Sequence, residues 1–445
     1  LMSELKQNIK NHKKIISIYG LGNVGGAIAA SWLRAGSKVI GVDLSDKLLK
    51  DIKTGRSHKK EPFVSEVFSK ALKTKNLVLT KDGVTASKNS DIKIIVVPVA
   101  ITRTKTDLSN VISVAQTISK GLKKNDAVVL SPSVPPGTTE KILLPILERG
   151  SKLKGERDFS LIYNPERIFE GRAIQDIEEN YPAIIAGLGK KSTLFGIKLL
   201  KIISKKGVLT MSNLATAEAE KLFEGVFRDV NIALANQLAN YSTKIGINFW
   251  EARTAANSQP YCHLHYPGTG VGGLCIPVYP RIIIESSKKT NIPIHLLENC
   301  REINDKMPKK CVKDSLKFLK QFKNPSKINK VCILGLGFRG EVTDKRLSPT
   351  YSVVKEFLKN DFSVYVHDPY ILSDDELPSN VTLSNDLNKM TKDADLIFIS
   401  TDHKIYSKLT EFSFKNAKKP VIIFDGRNIL DKTKFKHTKI KTIGN

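Results

Sequence analysis

The stretch Ile15–Gly25, with the sequence IISIYGLGNVG, determines the fold of the first half of this 445-residue chain. Its β-branched run is typical of a buried parallel strand, and the helical pattern Ala27–Leu33 follows the glycines. Glycines in that context permit a tight turn and let a pyrophosphate approach a helix N-terminus. The next strand, Lys38–Val42, ends at Asp43, 23 residues after Gly20. A carboxylate there accepts hydrogen bonds from ribose hydroxyls and repels a 2′-phosphate, so we expect NAD and not NADP as the cofactor. The alternative is a glycine turn that binds no ligand.

Strand and helix patterns continue to alternate over about the first 200 residues, which predicts a doubly wound parallel sheet. The further strands are expected at Ile92–Val97, Ala127–Leu130, Ser160–Tyr163 and Ala183–Ala186. The intervening helices are expected at Asp107–Gly121, Thr139–Leu147 and Ser192–Ile203.

The pattern then becomes helical. From Thr216, a candidate N-cap, to Ile245 there is no proline and one glycine, which predicts one long helix. Further helices are expected at Glu251–Asn257, Tyr279–Lys289 and Leu296–Lys320, the last broken or kinked at Pro308.

A second α/β pattern follows a polar linker, Gln321–Asn329. It begins with the strand Lys330–Leu334 and the turn GLGFRG at residues 335–340, an internal echo of GLGNVG. The strand that ends at Asp368 places this carboxylate 33 residues after Gly335, which is too far for a clean NAD motif. The remaining elements are the helix Pro349–Leu358 and the strands Ser363–His367, Leu396–Ser400 and Val421–Phe424.

The predicted fold class is therefore α/β, with two Rossmann-like doubly wound parallel-sheet domains joined by an all-helical middle domain with one long helix. We expect an NAD-binding domain at residues 1–210, a helical central domain with the cysteine loop and the dimer interface at 211–320, and a second Rossmann-like domain at 321–445.

The charge balance, 71 basic against 44 acidic residues, gives a formal net charge of +27 and raises the question of nucleic-acid binding. The lysines are scattered through every segment and aromatic residues make up only 7%, whereas nucleic-acid surfaces cluster their cations. We therefore expect no nucleic-acid partner. A basic surface also suits anionic nucleotides.

Cysteine use and hydropathy indicate a cytoplasmic protein with no membrane partner. The five cysteines are odd in number and lack CxxC spacing, which favours a reducing compartment. The polar N-terminus lacks the apolar core of a secretory signal, and the longest apolar run is too short to span a bilayer. Cys262, His263 and His265 cluster locally without a second ligand pair, so we expect no metal.

The segment Pro267–Pro277, PGTGVGGLCIP, carries four glycines and one cysteine, Cys275. We expect that packing does not require so many glycines, which let backbone N–H groups approach a ligand and present a thiol at a defined place. A thiol combined with a nicotinamide cofactor suggests oxidation through a covalent thiohemiacetal. The alternative is an ordinary buried apolar thiol.

Together these motifs resemble the UDP-sugar dehydrogenase family, in particular its UDP-N-acetylmannosamine branch, over almost the whole chain. The cysteine loop is similar to the family's PGxGVGGHCIPV. SVPPGTT at residues 133–139 and NPERIFEG at 164–171 are similar to its STVPPGTT and NPERxxEG, and FRDVNIALAN at 227–236 to its long central helix.

The resemblance implies that the domain at residues 321–445 binds the UDP-sugar, and that the turn at residues 335–340 supports the fold and the nucleotide diphosphate. It also implies the site residues. The implied catalytic residues are Cys275, Lys221, Glu166 and Ser133. The implied cofactor-binding residues are Gly20, Gly22, Asn23, Val24, Gly25, Asp43 and Pro98. The implied substrate-binding residues are Glu170, Arg228, Asn231, Tyr266, Gly268, Gly272, Gly273, Arg339, Arg346 and Arg427.

Four positions depart from the family pattern. Gly225 stands where the family has asparagine one helical turn after its lysine, Leu274 replaces the histidine before the cysteine, and Tyr279 replaces a frequent aspartate four residues after it. Gln259-Pro260-Tyr261 stands where the acetylated-sugar branch has HPR, which removes an arginine expected to contact substrate across subunits.

The resemblance implies NAD-dependent, four-electron oxidation of UDP-N-acetyl-D-mannosamine at C6 to UDP-N-acetyl-D-mannosaminuronate, in polysaccharide biosynthesis. UDP-glucose and UDP-N-acetylglucosamine are alternative substrates, and a catalytically silent nucleotide-binding homologue is an alternative of another class. A homodimer is expected through the long helix, because a helix of about thirty residues needs more apolar cover than one small domain supplies.

Overall fold

A computed structural model describes residues 2–58, 61–101, 105–324 and 329–445. The chain forms two compact units. One comprises Leu1–Phe223 with Glu285–Thr290, and the other Glu224–Ile284 with Asn291–Asn445.

The first unit is built on an eight-stranded sheet with the order β10-β9-β8-β7-β4-β1-β2-β3. Its pairings are parallel except for the antiparallel β8–β9 pair, and β5 and β6 form a separate two-stranded hairpin. The strands are β1 (Ile15–Tyr19), β2 (Lys38–Val42), β3 (Leu77–Thr80), β4 (Ile92–Ile95), β5 (Ala100–Ile101), β6 (Thr106–Asp107), β7 (Ala127–Leu130), β8 (Ser160–Tyr163), β9 (Ala183–Gly187) and β10 (Val208–Thr210).

Helices cover both faces of this sheet, and each face has its own apolar core. The helices are α1 (Met2–Lys10), α2 (Asn23–Arg34), α3 (Asp46–Lys53), α4 (Val64–Lys73), α5 (Gly83–Lys88), α6 (Ser109–Ser119), α7 (Leu144–Ser151), α8 (Ala173–Gln175) and α9 (Lys190–Leu200), with π-helical turns at Thr139–Leu143 and Asp176–Asn180.

The register aligns the carboxyl ends of the central strands. Tyr19 of β1 pairs with Val42 and with Ile95, Ile95 pairs with Leu130, and Leu130 pairs with Tyr163. The segments that follow β1, β2, β4, β7 and β8 therefore all leave the sheet at one edge. Open α/β sheets bind their ligands at this edge, where the strand order reverses.

The helical middle comprises α10 (Leu214–Ile245), α11 (Phe249–Ala256), α12 (Tyr279–Thr290) and α13 (His295–Leu319). Asn213, and not Thr216, caps α10, because its Oδ1 accepts from the Thr216 N–H at 2.9 Å. The expected break at Pro308 is also wrong, since α13 continues through this residue. Pro308 is buried, and its packing offsets the roughly 3 kcal/mol that a proline costs inside a helix.

The last part of the chain forms a six-stranded parallel sheet with the order β13-β12-β11-β14-β15-β16. Its order from β13 to β15 repeats the order from β3 to β7 of the first sheet, with apolar cores on both faces. The elements are β11 (Lys330–Leu334), α14 (Pro349–Leu358), β12 (Ser363–His367), β13 (Thr382–Ser384), α15 (Leu387–Thr391), β14 (Leu396–Ile399), β15 (Ile422–Asp425) and β16 (Lys439–Thr442), with short 3-10 turns between them.

The predicted fold class is confirmed, with differences at the sheet edges. The sequence analysis missed β3, β10, β13 and β16, which are short outer strands with partly exposed or lysine-rich residues. Residues 325–328 of the predicted linker lie outside the described part of the chain. Within the described residues, no helix is long and apolar enough to cross a membrane.

Candidate active site

The glycine loop after β1 is shaped by close backbone approaches. Gly20 has φ +94°, and a methyl group on it would lie 2.8 Å from the Val96 carbonyl oxygen. A methyl group on Gly25 would lie 1.9 Å from the Gly20 carbonyl oxygen. By contrast, nothing in the protein lies within 4 Å of a methyl group placed on Gly22. The loop is therefore tight against the sheet and open above Gly22, where α2 begins with no side-chain cap.

Asp43, directly after β2, lies beside this loop. Its Oδ2 accepts from the Leu21 N–H at 2.9 Å and its Oδ1 accepts from the Ser45 N–H at 2.9 Å. The residue remains partly exposed. A carboxylate has about four lone-pair sites, so Asp43 keeps acceptor capacity for a ligand.

His58 is a loop residue that the sequence analysis missed. Its Nε2 lies 2.8 Å from the Leu21 carbonyl oxygen and 3.2 Å from that of Gly22. Because both partners are acceptors, Nε2 carries the proton and donates. The ring occupies the space beside Gly26, where a methyl group would lie 2.3 Å from Nε2. An imidazole thus contacts the glycine loop and the first turn of α2.

Pro98, Ser133 and Glu166 follow β4, β7 and β8 respectively, so the topology brings these predicted site residues to the ligand-binding edge of the first sheet. Glu166 accepts from the Ile168 N–H through Oε2 at 3.1 Å. Asn164, in the same segment, donates to the Ile184 carbonyl oxygen at 2.8 Å. These contacts fix the start of the 164–171 segment on the sheet.

A buried carboxylate anchors the end of that segment. Glu61 is 4% exposed and accepts from the N–H groups of Gly171 at 2.8 Å and Ala173 at 3.1 Å. Asp176 accepts from the Phe169 N–H at 2.8 Å. Glu170, between these anchored residues, is therefore held in place by backbone contacts on both sides. No sequence motif marks Glu61, because its partners lie more than a hundred residues away.

Lys221 lies on α10 and is only 7% exposed. One turn earlier on the same helix, Glu218 is fully buried and accepts from Gly137 N–H at 2.5 Å, Thr139 N–H at 2.7 Å and Thr139 Oγ1 at 2.6 Å. Burial raises the pKa of Glu218, although these donors favour its carboxylate form. Glu218 thus ties the helix of Lys221 to the segment that begins at Ser133.

In the second unit, Cys275 is exposed and lies four residues before the first residue of α12, Tyr279. Its carbonyl oxygen accepts from the N–H groups of Val278 at 3.1 Å and Tyr279 at 2.9 Å, so a hydrogen-bonded turn joins the cysteine to the start of that helix. A helix N-terminus stabilises negative charge and therefore a thiolate. Exposure excludes the alternative of a buried apolar thiol.

The glycines of the cysteine loop are required for packing, so the expectation that packing does not need them is wrong. Methyl groups on Gly272 and Gly273 would lie 2.6 Å and 2.9 Å from atoms of Phe338, and one on Gly270 would lie 2.7 Å from Pro349. Gly273 N–H also donates to the Arg346 carbonyl oxygen at 2.9 Å. The loop therefore needs glycines to lie flat on the second sheet's loops.

Buried polar residues of α10 and α13 fix the beginning of this loop. Gly268 N–H donates to Asn236 at 2.9 Å, and Asn236 donates to Asn304 at 3.0 Å. Asn304 in turn donates to Asp229 Oδ1 at 2.8 Å, and Arg301 forms an ion pair with the same oxygen. Burial raises the pKa of Asp229, which the charge of Arg301 opposes. Asn236 and Asp229 lie in the 227–236 run, but only the fold reveals their partners.

The predicted substrate-binding side chains of the second unit differ in solvent exposure and in how far the protein already occupies their hydrogen-bonding groups. Arg228 is exposed, Tyr266 is 59% exposed, and Arg253 stacks 3.8 Å from the Tyr266 ring centre. Asn231 has both ends of its amide engaged, donating to the His263 carbonyl oxygen and accepting from the His265 N–H. It therefore shapes the loop at residues 263–265.

Three of the predicted substrate-binding residues, Arg339, Arg346 and Arg427, lie on the loops after the second sheet's strands. Arg427 donates to the carbonyl oxygens of Ser400 at 2.8 Å and Phe338 at 3.4 Å, and its Nη1 lies beside Gly268. Arg346 forms a two-pronged ion pair with Asp344. Arg339 lies next to Phe338, with its guanidinium 6.0 Å from that ring centre. The guanidinium of Arg427 thus links two of these loops to the start of the cysteine loop.

The second glycine turn is built like the first but closed. Asp368 is fully buried, and its Oδ2 accepts from the N–H groups of Leu336 at 2.7 Å and Gly337 at 3.2 Å. Nε2 of the buried His403 also contacts this oxygen at 3.3 Å. The long spacing to Asp368 had argued against a clean motif, yet the carboxylate occupies the position that Asp43 has in the first sheet.

Among the described residues, no group of three or more His, Cys, Asp or Glu side chains could hold a metal ion. Cys262 instead contacts Asn257, with 3.4 Å between Sγ and Oδ1.

Two Rossmann-type sheets, a ligand-open glycine loop with an acidic partner and a thiol presented beside a second nucleotide-type turn define an NAD-binding oxidoreductase with a separate nucleotide domain. The chain belongs to the UDP-glucose/GDP-mannose dehydrogenase family. That family's NAD-binding domain matches residues 14–204, its central domain residues 215–306 and its UDP-binding domain residues 332–432.

Individual proteins that are similar to this chain over most of its length are also named as nucleotide-sugar dehydrogenases. The UDP-N-acetyl-D-mannosamine dehydrogenase of Methanococcus aeolicus is 34% identical over 94% of this chain and 91% of that protein. A solved UDP-D-ManNAc dehydrogenase from Pyrococcus horikoshii has a TM-score of 0.88 and 30% identity, covering 96% of this chain and 99% of that one. The NDP-N-acetyl-D-galactosaminuronic acid dehydrogenase of Ralstonia nicotianae is 30% identical over 89% of this chain and 92% of that protein.

Proposed function

We propose that this protein oxidises UDP-N-acetyl-D-mannosamine at C6 to UDP-N-acetyl-D-mannosaminuronate, with NAD as the oxidant. The observation that carries the proposal is the placement of Cys275, an exposed thiol on a glycine-rich loop that packs against the second sheet's loops and is joined to the start of α12 by a hydrogen-bonded turn. Relatives that bear this enzyme name, at 34% and 31% identity over more than nine-tenths of the chain, support the choice of sugar.

The residues around the first glycine loop fit NAD. The space above Gly22 and the uncapped start of α2 suit a pyrophosphate, and Asp43 has acceptor capacity for ribose hydroxyls. We assign cofactor binding to this set, which comprises Gly20, Gly22, Asn23, Val24, Gly25, Asp43 and Pro98. NAD bound there would supply the hydride acceptor, one molecule for each of the two oxidation steps.

Cys275 is proposed as the nucleophile. After the C6 alcohol loses a hydride and a proton, the thiolate adds to the aldehyde carbon and forms a thiohemiacetal. Loss of a second hydride and of the hydroxyl proton gives a thioester. Water then attacks the thioester carbonyl, the carbon–sulfur bond breaks, and the uronate and the thiolate are released. The nearby N-terminal end of α12 favours the thiolate both before its attack on the aldehyde and after its release from the thioester.

Three residues of the first unit are proposed to assist. Lys221 stabilises the oxyanions that form at C6, because a fixed cation in a water-poor site is worth about 2.7–4 kcal/mol. Glu166 positions or deprotonates the hydrolytic water, and the Ser133 hydroxyl is a further hydrogen-bonding group. Glu170, Arg228, Asn231, Tyr266, Gly268, Gly272, Gly273, Arg339, Arg346 and Arg427 are proposed to bind the UDP-sugar, the arginines through its phosphates.

The first test is NADH formation on a panel of UDP-sugars that includes UDP-glucose, UDP-N-acetylglucosamine and UDP-N-acetylgalactosamine. We expect two NADH per uronate and the highest kcat/KM with UDP-N-acetylmannosamine. The relative named for a galactosaminuronic acid makes the galacto sugar the main competitor. No NADH with any of these sugars would contradict the proposed reaction.

The covalent step is tested with Cys275→Ser. We expect steady-state uronate formation to fall by orders of magnitude while NAD and UDP-sugar still bind, because a serine ester is hydrolysed more slowly than a thioester. Cys262→Ser is the matched control, since this half-buried thiol makes only a local contact with Asn257. Near-normal uronate formation by the Cys275 variant would refute the covalent mechanism.

A second copy of the chain is the proposed protein partner. The second unit's portion of α10 leaves Phe227, Leu234, Leu238, Tyr241 and Ile245 between 36% and 64% exposed. The sevenfold spacing of Phe227, Leu234 and Tyr241 aligns them along one face, as expected for a helix that packs on its symmetry mate. Light scattering at micromolar concentration should show a dimer, and Phe227→Glu with Tyr241→Glu should shift it to monomer. A monomeric wild type would refute the assignment.

We also propose three functional domains at residues 1–210, 211–320 and 321–445, and a cytoplasmic location. The separate matches of three family domains support the first proposal, and five cysteines that form no disulfide bond support the second. Limited proteolysis and cell fractionation test them.

A further inference from the structure

Two of the residues that depart from the family pattern touch each other. Gly225 is buried on α10, and a methyl group there would lie 2.4 Å from Cδ2 of Tyr279 and 3.1 Å from its Cβ and Cγ. The Tyr279 side chain therefore lies directly on the backbone of α10, and Tyr279 is 5% exposed. Any larger residue at position 225 would displace the ring, because real Cβ atoms do not approach other atoms so closely.

Tyr279 is also the first residue of α12 and is joined to the cysteine through the backbone. Its N–H donates to the Cys275 carbonyl oxygen at 2.9 Å. A movement of the ring is thus transmitted to the residue that carries the thiol. Two residues further on, Arg281 donates to Asp305 of α13 at 2.7 Å, which fixes the helix to a second neighbour.

We propose that Tyr279 is a positioning residue for Cys275, and that Gly225 exists to seat its ring. Gly225 and Tyr279 then act together. The ring fills the volume that a side chain at position 225 would take, and the backbone N–H of Tyr279 holds the cysteine in the turn before α12. The proposal concerns packing and not the phenol hydroxyl. It deepens the proposed function, on which it rests for the role of Cys275.

The test is a double-mutant cycle with Gly225→Ala, Tyr279→Ala and the combined variant, measured first by the alkylation rate of Cys275. This readout needs no turnover. Each single substitution should change the alkylation rate and lower kcat by roughly tenfold to a hundredfold, since small misplacements of a reacting atom have effects of that size. KM for the UDP-sugar should change much less.

The combined variant should recover part of both losses, because the added methyl group enters the space that the ring vacates. Additive single effects would overturn the proposal. Tyr279→Phe keeps the ring and should restore the alkylation rate and kcat lost in Tyr279→Ala. A loss in the phenylalanine variant equal to that in the alanine variant would assign the role to the hydroxyl and overturn the packing account.

A matched control separates positioning from general loosening. Met307→Ala removes a buried side chain of α13 and should lower thermal stability without changing the alkylation rate. An equal change in that rate in the control would overturn the proposal. Failure of the proposed function gives a different result, because then either no UDP-sugar yields NADH or Cys275→Ser retains turnover, whatever the alkylation rates in the cycle.

Discussion

The two halves of the chain use the same turn for opposite purposes. After β1 and after β11 the chain makes a GLG turn with a positive φ at its first glycine, +94° at Gly20 and +96° at Gly335. In each half, an aspartate directly after the next strand accepts from the N–H of the leucine in the GLG turn. The distance is 2.9 Å from Leu21 to Asp43 and 2.7 Å from Leu336 to Asp368. The backbone solution is therefore duplicated.

The difference lies in what surrounds the two aspartates. Asp43 accepts two backbone N–H groups and stays partly exposed. Asp368 is fully buried, and accepts from Tyr370 and Ile371 as well as from the turn and His403. Its acceptor sites are filled by the protein. The same residue is thus available to a ligand in the first half and is a structural brace in the second, which argues against a second NAD site.

The largest expected effect comes from Asp368→Asn. An amide places N–H donors against the backbone donors that the carboxylate accepts, so we expect the free energy of unfolding of the second unit to fall by about 3 kcal/mol. Urea denaturation followed by tryptophan fluorescence or circular dichroism measures it. Asp43→Asn is the matched control and should cost less than about 1 kcal/mol. Equal costs would remove the distinction between the two halves.

Acid should reveal the same asymmetry. Burial opposes ionisation of Asp368, but His403 and the backbone N–H groups outweigh it and lower its pKa from 3.8 to about 2. A depressed carboxyl pKa adds stability that is fully present above the unfolded pKa and is lost as pH falls toward the folded pKa. We expect Asp368 to contribute about 2 kcal/mol above pH 5, lost progressively below about pH 4. Urea titrations of wild type and Asp368→Asn that show the same acid dependence would contradict this.

A methyl group at Gly22 probes the ligand and not the protein. Because nothing lies within 4 Å of that position, Gly22→Ala should melt like the wild type. A bound pyrophosphate would meet the methyl group, so the Kd for NAD should rise by at least about tenfold, or ~1.4 kcal/mol. Gly337→Ala, at the equivalent position of the second turn, should leave the Kd for NAD unchanged. Isothermal titration with unchanged affinity in the first variant would place the cofactor elsewhere.

Asp43→Ala should have the smallest effect, a narrowing of cofactor preference. We expect the wild type to prefer NAD over NADP by a wide margin, because the carboxylate repels a 2′-phosphate. The variant should lose NAD affinity by up to about tenfold and gain relative rate with NADP. Steady-state rates with both cofactors measure this. Equal rates in the unmodified protein would refute the assignment of Asp43.

Much of the fold was predictable because its signals are local. The central strands of both sheets are short β-branched runs, and the glycine turns meet φ requirements that few other residues satisfy. The predicted strands Ile15–Tyr19, Lys38–Val42 and Lys330–Leu334 agree with the structure to the residue. Outer strands such as Lys439–Thr442 escaped because their residues are half-exposed and polar, so they lack the apolar signature.

Residues that are neighbours along the chain were sufficient to predict the class of fold, the first glycine loop and the single cysteine on a glycine-rich segment. The packing of the folded chain was needed to show which aspartate is open to a ligand, that Glu218 and Glu61 hold the segments of the predicted catalytic residues, and that Tyr279 rests on Gly225. These contacts join residues 54 to 112 positions apart. No local periodicity encodes such pairs, since they arise from the order in which the strands and helices pack.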